Sequence, residues 1–345
     1  MSRVAVAMSG GVDSSTVAAL LKEEGHEVEG FTMVLHRHSR VDDAERVADA
    51  LKIPLNILDI REAFEELVVE PFVNAYDSGL TPNPCVTCNR GVKFGYLVEA
   101  VKEAGFERVA TGHYARLSKG DGYTRLLKGL DAKKDQSYFL APARRGVFDD
   151  IIFPLGGMEK GRVRSVAASF NLPVAQKSDS QDICFIPAGD TAAFLGARSK
   201  AERRGAILDM DGKKLGEHGG VHRYTVGQRR GLGVSSVEPL YVVKRDVASN
   251  VIVLGPRESA LSKSFTTKES VWVKGEISDS YKEKFILKVK IRSTGRECPC
   301  KVSERSGGLL VELEEAQFGV APGQLAVFYE GEEVVGSAWI EGPFE

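Results

Sequence analysis

Short apolar runs and amphipathic stretches alternate along the first third of the chain. Residues 4–8, 28–34, 55–59 and 108–111 are apolar runs of strand length, while residues 14–24, 42–51, 64–76 and 89–104 repeat apolar positions at helical spacing. This alternation predicts a parallel sheet covered by helices, an α/β arrangement. Residues 112–195 read as mixed structure with one helix over 160–170. Beyond residue 205 the texture changes. Runs such as Tyr241-Val242-Val243, Val251-Ile252-Val253-Leu254 and Phe285-Ile286-Leu287-Lys288-Val289 lie between Gly and Asp turns, and Gly307-Gly308 reads as a hairpin turn. That pattern predicts two small antiparallel β units, sandwich or barrel, with a break near Pro256.

A chain of 345 residues has room for two or three such domains. With 43% apolar and 27% charged residues it has the usage of a globular protein that buries real cores. The 46 Lys and Arg nearly cancel the 48 Asp and Glu, so no global field draws in a polyanion and any nucleic-acid surface must be local. No run approaches the roughly 18 apolar residues of a membrane span, and the first residues lack a signal-peptide pattern, which points to the cytoplasm and no membrane partner. The 5 cysteines are grouped as Cys85 and Cys88, Cys184, and Cys298 and Cys300. An odd, sparse set of this kind argues for reduced or reactive thiols rather than a secreted disulfide framework.

The first predicted strand runs into Ser9-Gly10-Gly11-Val12-Asp13-Ser14-Ser15 and then into a helical stretch. Two glycines permit a tight turn, and successive backbone N–H groups there and at the helix N-terminus can converge on phosphate oxygens. The serine hydroxyls add donors. A carboxylate inside an anion site repels phosphate unless it holds a cation, so Asp13 points to Mg2+ arriving with a nucleotide. GxxxxGK(S/T) occurs nowhere in the chain, which excludes a Walker-type motor or GTPase. The plainer alternative is a helix cap, for which Ser and Asp are well suited. The string SGGVDSS resembles the pyrophosphate-binding (PP) loop of N-type ATP pyrophosphatases, which cleave ATP between the α and β phosphates and adenylate a substrate carbonyl.

Thr81-Pro82-Asn83-Pro84-Cys85-Val86-Thr87-Cys88-Asn89 precedes a predicted helix containing Lys93. The prolines hold the approach extended, and a helix starting near Cys88 supplies a dipole that favours thiolate. A structural zinc half-site or an inert pair are the alternatives, although no second CxxC lies at zinc-site spacing. Cys184 lies in Ser178-Asp179-Ser180-Gln181-Asp182-Ile183-Cys184-Phe185-Ile186, at the edge of an apolar run, where a lone thiol behaves as a small hydrophobe. The order of motifs changes this reading. With SGGVDSS, TPNPCVTCN, ATGHYAR (110–116), KDQSYFL (134–140), SDSQDICFI and YTVGQRRGLG (224–233) in sequence, the chain resembles the tRNA-specific 2-thiouridylases of the MnmA/TrmU type over nearly its full length.

The resemblance implies an adenine nucleotide alpha hydrolase-like catalytic domain over residues 1–200, a small β-rich tRNA-contacting domain over 201–258 and a β-barrel over 259–345. It implies a sulfurtransferase. ATP would adenylate the C2 oxygen of the wobble uridine, U34, and sulfur would then displace AMP. By motif, Ala7, Met8, Ser9, Gly10, Gly11, Val12, Asp13, Ser14, Met33 and Gly112 would contact ATP. Asn83, Pro84 and Cys85 would line the target base, and Lys134, Asp135, Gln136, Arg292 and Ser293 would meet tRNA. Cys88 would be the nucleophile, and Cys184 would take persulfide sulfur from a donor protein, a sulfide source being the partner of a cluster route instead.

Cys85 departs from the family pattern, since many members carry Asp there, with base and orienting roles. A CxxC with a distant third Cys also suits a [4Fe-4S] cluster held by Cys85, Cys88 and Cys184. Both sulfur routes follow from the sequence, and Cys85 favours the cluster. Two basic stretches could neutralise phosphates: residues 198–230 hold nine Lys and Arg against four Asp and Glu, and residues 274–301 hold eight against four. The first includes Arg203-Arg204 and, within VGQRRGLG, Arg229 and Arg230, which read as a backbone-gripping loop. Lys274 opens the second. Cys298 and Cys300 read as structural thiols on one face of a strand, and His113 reads equally as a site residue or a hydrogen-bonded core histidine. Two rival functions remain at this level: a ligase or amidotransferase that adenylates a small molecule, and a non-catalytic tRNA-binding or sulfur-relay protein.

Overall fold

The structure is a computed structural model that describes residues 2–120, 122–144, 146–179, 182–199, 204–273, 277 and 279–344. Ser180, Gln181, Arg203 and Lys274, named above, lie outside the described residues. The chain forms two compact units. No helix among the described residues is long and apolar enough to cross a membrane.

The first unit comprises Met1–Val69, Cys85–Phe185 and Glu332–Val334. Its strands β1 (Arg3–Ala7), β2 (Glu27–Val34), β3 (Leu55–Asp59), β4 (Arg108–Ala110) and β7 (Ile151–Ile152) form a sheet in the order β3-β2-β1-β4-β7. All the pairings are parallel, with Val4 opposite both Val28 and Arg108. Val4, Ala5 and Val6 are fully buried, as a central strand covered on both faces requires. Helix α1 (Val12–Glu23) contributes Val17, Ala18 and Leu21 to that core, and its Val12 and Ala19 pack with Ala167 of the helix Lys160–Ser169. The more polar α2 (Asp42–Leu51) buries Ala44, Val47 and Ala48. Strand order reverses across β1 and β4, so the crevice beyond their carboxyl ends is the topological switch point at which such sheets take ligands.

Three features depart from the sequence reading. The hairpin β5 (Ala115–Gly120) and β6 (Tyr123–Lys128) falls in the stretch that reads only as mixed. Its strands carry Arg116, Ser118, Lys119, Thr124 and Arg125, which blur the period-two signal, although the sequence Gly120-Asp121-Gly122 is itself a turn signal. The helix predicted over 89–104 begins earlier, α-helical over Pro84–Cys88, π-wound over Asn89–Tyr96 and α-helical again over Leu97–Glu103. Proline is suited to a first helical turn, so Pro84 starts the helix rather than merely preceding it. The third departure concerns the central β piece.

The second unit comprises Glu70–Pro84, Ile186–Gly331 and Val335–Glu345. It contains a four-stranded sheet in the order β10 (Tyr241–Asp246), β11 (Val251–Gly255), β8 (Gly205–Leu208), β9 (Lys214–His218), built on Ile207, Val242, Ile252 and Leu254. β8 and β11 pair in parallel, where an all-antiparallel unit was expected. More than forty residues separate them, enough for the crossover that parallel strands need. The other sheet is a barrel of β12 (Leu261–Trp272), β15 (Gly308–Phe318), β14 (Cys298–Arg305), β13 (Leu287–Lys290), β16 (Leu325–Glu330) and β17 (Glu333–Pro343), closed by β12 pairing with β17. Cys298, Cys300 and Val302 alternate inward along β14 into its core, so both thiols are packing groups. Burial drives the Cys300 thiol pKa well above its ordinary value.

Candidate active site

β1 delivers the chain into the glycine loop at the switch point. Gly10 has φ +68°, and a Cβ there would come 2.8 Å from Asp43 Cβ. On the loop after β4, a Cβ on Gly112 would come 2.9 Å from Ser14 N. Both positions therefore need glycine for close approach of backbone. No side chain among the described residues caps α1. The hydroxyls turn inward instead: Ser9 N donates to Ser14 Oγ at 3.2 Å, and Ser15 Oγ and Thr16 Oγ1 donate to the carbonyls of Gly11 and Val12 at 2.8 and 2.7 Å. The helix-cap alternative is thus not realised, and the N-terminus of α1 keeps the character of an anion site. Ala7 to Ser14 run along this loop, Gly112 packs on it, and Met33 lies two residues past Phe31, the strand partner of Ala7.

Asp13 is the charged centre of the loop. Lys160 Nζ donates to its two oxygens at 2.7 and 2.8 Å, and Tyr114 OH donates to Oδ1 at 2.7 Å. Burial and the adjacent Asp13 carboxylate raise the Tyr114 pKa, which keeps it a donor. Lys160 also lies 2.9 Å from Asp179, which takes Lys134 Nζ at 2.6 Å and Arg164 at 2.7 Å. Burial by itself would raise the Asp179 carboxyl, but the hydrogen bonds from Lys134 and Lys160 outweigh it and hold the group at about 2. Lys177 Nζ reaches the Gly10 carbonyl at 3.1 Å and Asp43 at 2.6 Å. Tyr114, Lys160, Arg164, Lys177 and Asp179 are site residues that the sequence reading did not single out. Tyr114 and Asp179 sit inside the quoted motifs, whereas nothing local marks the three cations. A Mg2+ ion borne by a nucleotide needs only one or two carboxylates beside phosphate and water oxygens, so Asp13 fits as its protein ligand.

The thiols gather in the same unit. Solvent reaches Cys85 and Cys184, while Cys88 is 9% exposed. Cys85 and Cys88 both act electrostatically on Cys184, Cys88 the more strongly. Phe185 anchors the Cys184 segment edge-on to Phe64, ring centroids 5.7 Å apart. The expectation that a helix dipole favours thiolate is overturned. Surrounding protein raises all three thiol pKa values, Cys184 to about 11, even where solvent touches the sulfur, and Lys93 only partly offsets the effect. With the helix starting at Pro84, its N-terminal field falls on Cys85 more than on Cys88. Among the described residues no three His, Cys, Asp or Glu side chains are gathered closely enough to hold a metal ion. The three sulfurs suit a cluster by chemistry but are not assembled for one as placed. Because the Cys184 pKa is raised, its thiolate appears only at high pH. Alkylation of Cys184 by iodoacetamide, followed by mass spectrometry, is expected to accelerate about tenfold per unit from pH 7 to 10; a plateau below pH 9 contradicts this.

His113 is 7% exposed, with Nδ1 2.7 Å from Thr111 Oγ1 and Nε2 3.1 Å from Asn89 Oδ1. Burial, reinforced by Lys93, holds its pKa well below the usual range, so it is neutral at physiological pH. These contacts fit the hydrogen-bonded core histidine and tie β4 to the residue after Cys88.

In the second unit, Thr81 holds the approach to Asn83 and Pro84, the positions expected to line the target base. Its N–H donates to Pro322 O at 2.7 Å, its carbonyl accepts Gln324 Nε2 at 2.6 Å, and its hydroxyl accepts Arg245 NH2 at 2.8 Å. Arg245 also donates to the carbonyls of Gly79 and Tyr224, each at 2.6 Å. Burial lowers its pKa to about 10, which leaves it cationic at neutral pH. The sequence reading missed Arg245 and Gln324, which lie outside the motifs.

The expected RNA contacts divide into committed and open side chains. Asp135 accepts from the N–H groups of Gly129 and Ser137, and Gln136 Oε1 accepts from Tyr114 N, so both fold their own loop. Lys134 is engaged with Asp179. Arg292 donates to the Gly319 carbonyl at 2.9 Å, and Ser293 beside it is half-buried. Arg229 and Arg230 are exposed, on a loop pinned by Gln228, whose side chain accepts from Thr225 N and donates to Arg230 O.

A parallel-sheet domain with a glycine loop at its switch point, followed in sequence by a small β domain and a closed barrel, defines a HUP-type nucleotide-binding protein of the PP-loop superfamily. Residues 2–188 match the family described as tRNA methyl transferase HUP domain, residues 192–256 the tRNA methyl transferase PRC-barrel domain, and residues 262–340 the aminomethyltransferase beta-barrel domain. The tRNA-specific 2-thiouridylase MnmA of Rickettsia typhi is 44% identical over 355 aligned positions, covering 99% of each chain. The protein of the same name from Geobacter metallireducens is 43% identical, covering 98% of this chain and 96% of its own. The chain belongs to the tRNA-specific 2-thiouridylase family.

Proposed function

We propose that this protein forms 2-thiouridine in tRNA, at wobble position U34, with the chemistry carried by residues 1–200 and tRNA gripped from residues 201–258 and 259–345. The observation that carries the reading is the presence, in one compact unit, of an uncapped glycine loop centred on Asp13 and of Cys85, Cys88 and Cys184. The uracil C2 oxygen is a poor leaving group. Its attack on the α-phosphorus of ATP expels pyrophosphate and makes an O-adenylate, whose AMP can leave. Residues Ala7 to Ser14, Met33 and Gly112 would bind the nucleotide. Mg2+ held by Asp13 would neutralise developing phosphate charge.

In the persulfide route a donor, or a sulfide source with an oxidant, loads sulfane sulfur on Cys184. The Cys88 thiolate attacks the inner sulfur, a Cys88–Cys184 disulfide forms, and hydrosulfide leaves to attack C2 as AMP departs. One sulfur is reduced to sulfide and two thiols are oxidised, so a dithiol reductant must reset the pair. Burial raises the thiol pKa values, so the Cys88 thiolate needs water, positive charge or a hydrogen-bond donor brought to its sulfur before it reacts. Cys85, which in the sequence favours an iron-sulfur cluster held by Cys85, Cys88 and Cys184, is not placed with the other two thiols for one, so the persulfide route is the reading the placement supports.

The test is anaerobic incubation with tRNA and ATP, reading pyrophosphate release and thiouridine by mass spectrometry beside iron and sulfide analysis. Pyrophosphate without tRNA would favour small-molecule adenylation, and neither product a passive relay. An iron-free, fully active protein would end the cluster reading. The exposed pair Arg229 and Arg230 supports a tRNA-backbone grip. Arg229→Ala with Arg230→Ala is expected to weaken tRNA binding and reduce the slope of log affinity against log salt by about two, leaving ATP binding intact; an unchanged slope refutes the grip.

A further inference from the structure

Residues 79–81 are held from two sides within the second unit. Arg245, on β10, donates from one terminal nitrogen to the Gly79 carbonyl at 2.6 Å and Thr81 Oγ1 at 2.8 Å, and from the other to the Tyr224 carbonyl at 2.6 Å. On the barrel side, Pro322 and Gln324 take the Thr81 N–H and carbonyl, and a Cβ on Gly323 would come 2.9 Å from Thr81 N. Among the described residues the half-buried Arg245 makes no ion pair, and its Nε has no hydrogen-bond partner. Withdrawing a cation from water without a counter-charge is costly, and an apolar side chain would fill the space more cheaply. What the guanidinium supplies instead is a rigid fork that fixes two chain segments at once. Tyr224 opens the loop 224–233, which carries the exposed Arg229 and Arg230, and Thr81 stands two residues before Asn83. β10 also pairs with that loop through its backbone: Gly227 N donates to Val242 O at 2.8 Å, and Val242 N to Gln228 O at 2.9 Å. One strand thus ties the basic loop to the segment that leads into Asn83 and Pro84.

We propose that Arg245 is a positioning residue for the target base: it keeps Tyr224 and Thr81 in register, so that tRNA seated on the 224–233 loop finds Asn83 and Pro84 in place to receive the uracil. It acts through Thr81 rather than on the base itself. Without the fork, Thr81 keeps its bonds to the barrel but loses its register with the basic loop, and tRNA binds with its base misplaced. Adenylation and sulfur transfer act on the same seated base, so both slow together, whereas loss of a thiol spares adenylation. The basic loop keeps its own hold through Gln228 and Val242, so RNA affinity survives. The inference rests on the reading that this chain thiolates tRNA.

Steady-state thiolation against tRNA concentration tests it, with rates expressed per molecule competent to bind tRNA, counted by stoichiometric filter binding so that misfolded protein does not enter. Arg245→Met is expected to lower kcat at least about tenfold for both thiouridine and tRNA-dependent pyrophosphate, with tRNA affinity within about threefold of the unaltered protein. Arg245→Lys, which keeps the charge but not the fork, is expected to lose at least about fivefold in kcat; full activity there assigns Arg245 to charge alone and overturns the inference. Thr81→Val, which removes one acceptor and keeps the side-chain shape, is expected to show the same split at about threefold. Unaltered kcat in Thr81→Val overturns the inference whether or not the arginine variants fold. Weakened tRNA binding with unchanged kcat, or thiouridine lost while pyrophosphate release continues, overturns it as well. If the unaltered protein makes no thiouridine, the functional reading fails and the inference with it; normal variants beside an active unaltered protein sink the inference alone.

Discussion

Cys88→Ser is expected to reduce thiouridine formation by at least about a thousandfold, the scale of losing a nucleophile, while tRNA-dependent pyrophosphate release continues. Under the proposed function the two halves of the reaction separate, with adenylation at the glycine loop and sulfur transfer at the thiols. Serine keeps the size and the buried position of Cys88, 9% exposed, so folding should survive, but its hydroxyl cannot take part in persulfide exchange. Cys184→Ser is expected to show the same pattern. Mass spectrometry of digested tRNA together with a pyrophosphate assay checks both. Wild-type thiolation by either variant would remove these sulfurs from the mechanism. Cys85→Asp is the companion measurement: placing there the carboxylate that the family resemblance implies should leave iron-free activity intact if the persulfide route operates.

Asp13→Asn is expected to lower tRNA-dependent AMP and pyrophosphate formation by about a hundredfold to a thousandfold, the range found when one preorganised electrostatic partner of a transition state is lost. The amide keeps the shape of the side chain and a hydrogen-bond acceptor for Tyr114 OH, now 2.7 Å from the carboxylate. It cannot hold a divalent ion well or balance the charge of Lys160, which pairs with the carboxylate at 2.7 Å. tRNA affinity should not change, because the exposed Arg229 and Arg230 lie in the other compact unit. Near-normal AMP formation in this variant would place the phosphate chemistry away from the glycine loop.

The parallel sheet was legible because a strand covered on both faces must be apolar along its length. Val4, Ala5 and Val6 illustrate this, and all four predicted strands of the first domain appear with parallel register. The glycine loop was legible because its constraint is local: only Gly tolerates the φ of Gly10 so close to Asp43. The β5–β6 hairpin was not, since its strands are half polar. Nor was the parallel β8–β11 pairing, which joins segments far apart in the chain.

The ionisation of the site follows the same division. Motif order could select Cys85, Cys88, Cys184 and Asp13, because each sits in a string whose residue types serve one chemistry. It could not show that the thiol pKa values are raised, that Lys160 from a distant helix occupies Asp13, or that Arg245 holds the threonine ahead of the first thiol. Residue identity along the chain determined which groups are available for phosphate and sulfur chemistry. Burial and long-range pairing, which exist only once the chain has folded, decided their charge states and their partners, since desolvation and Coulomb energy depend on distance in space rather than along the sequence.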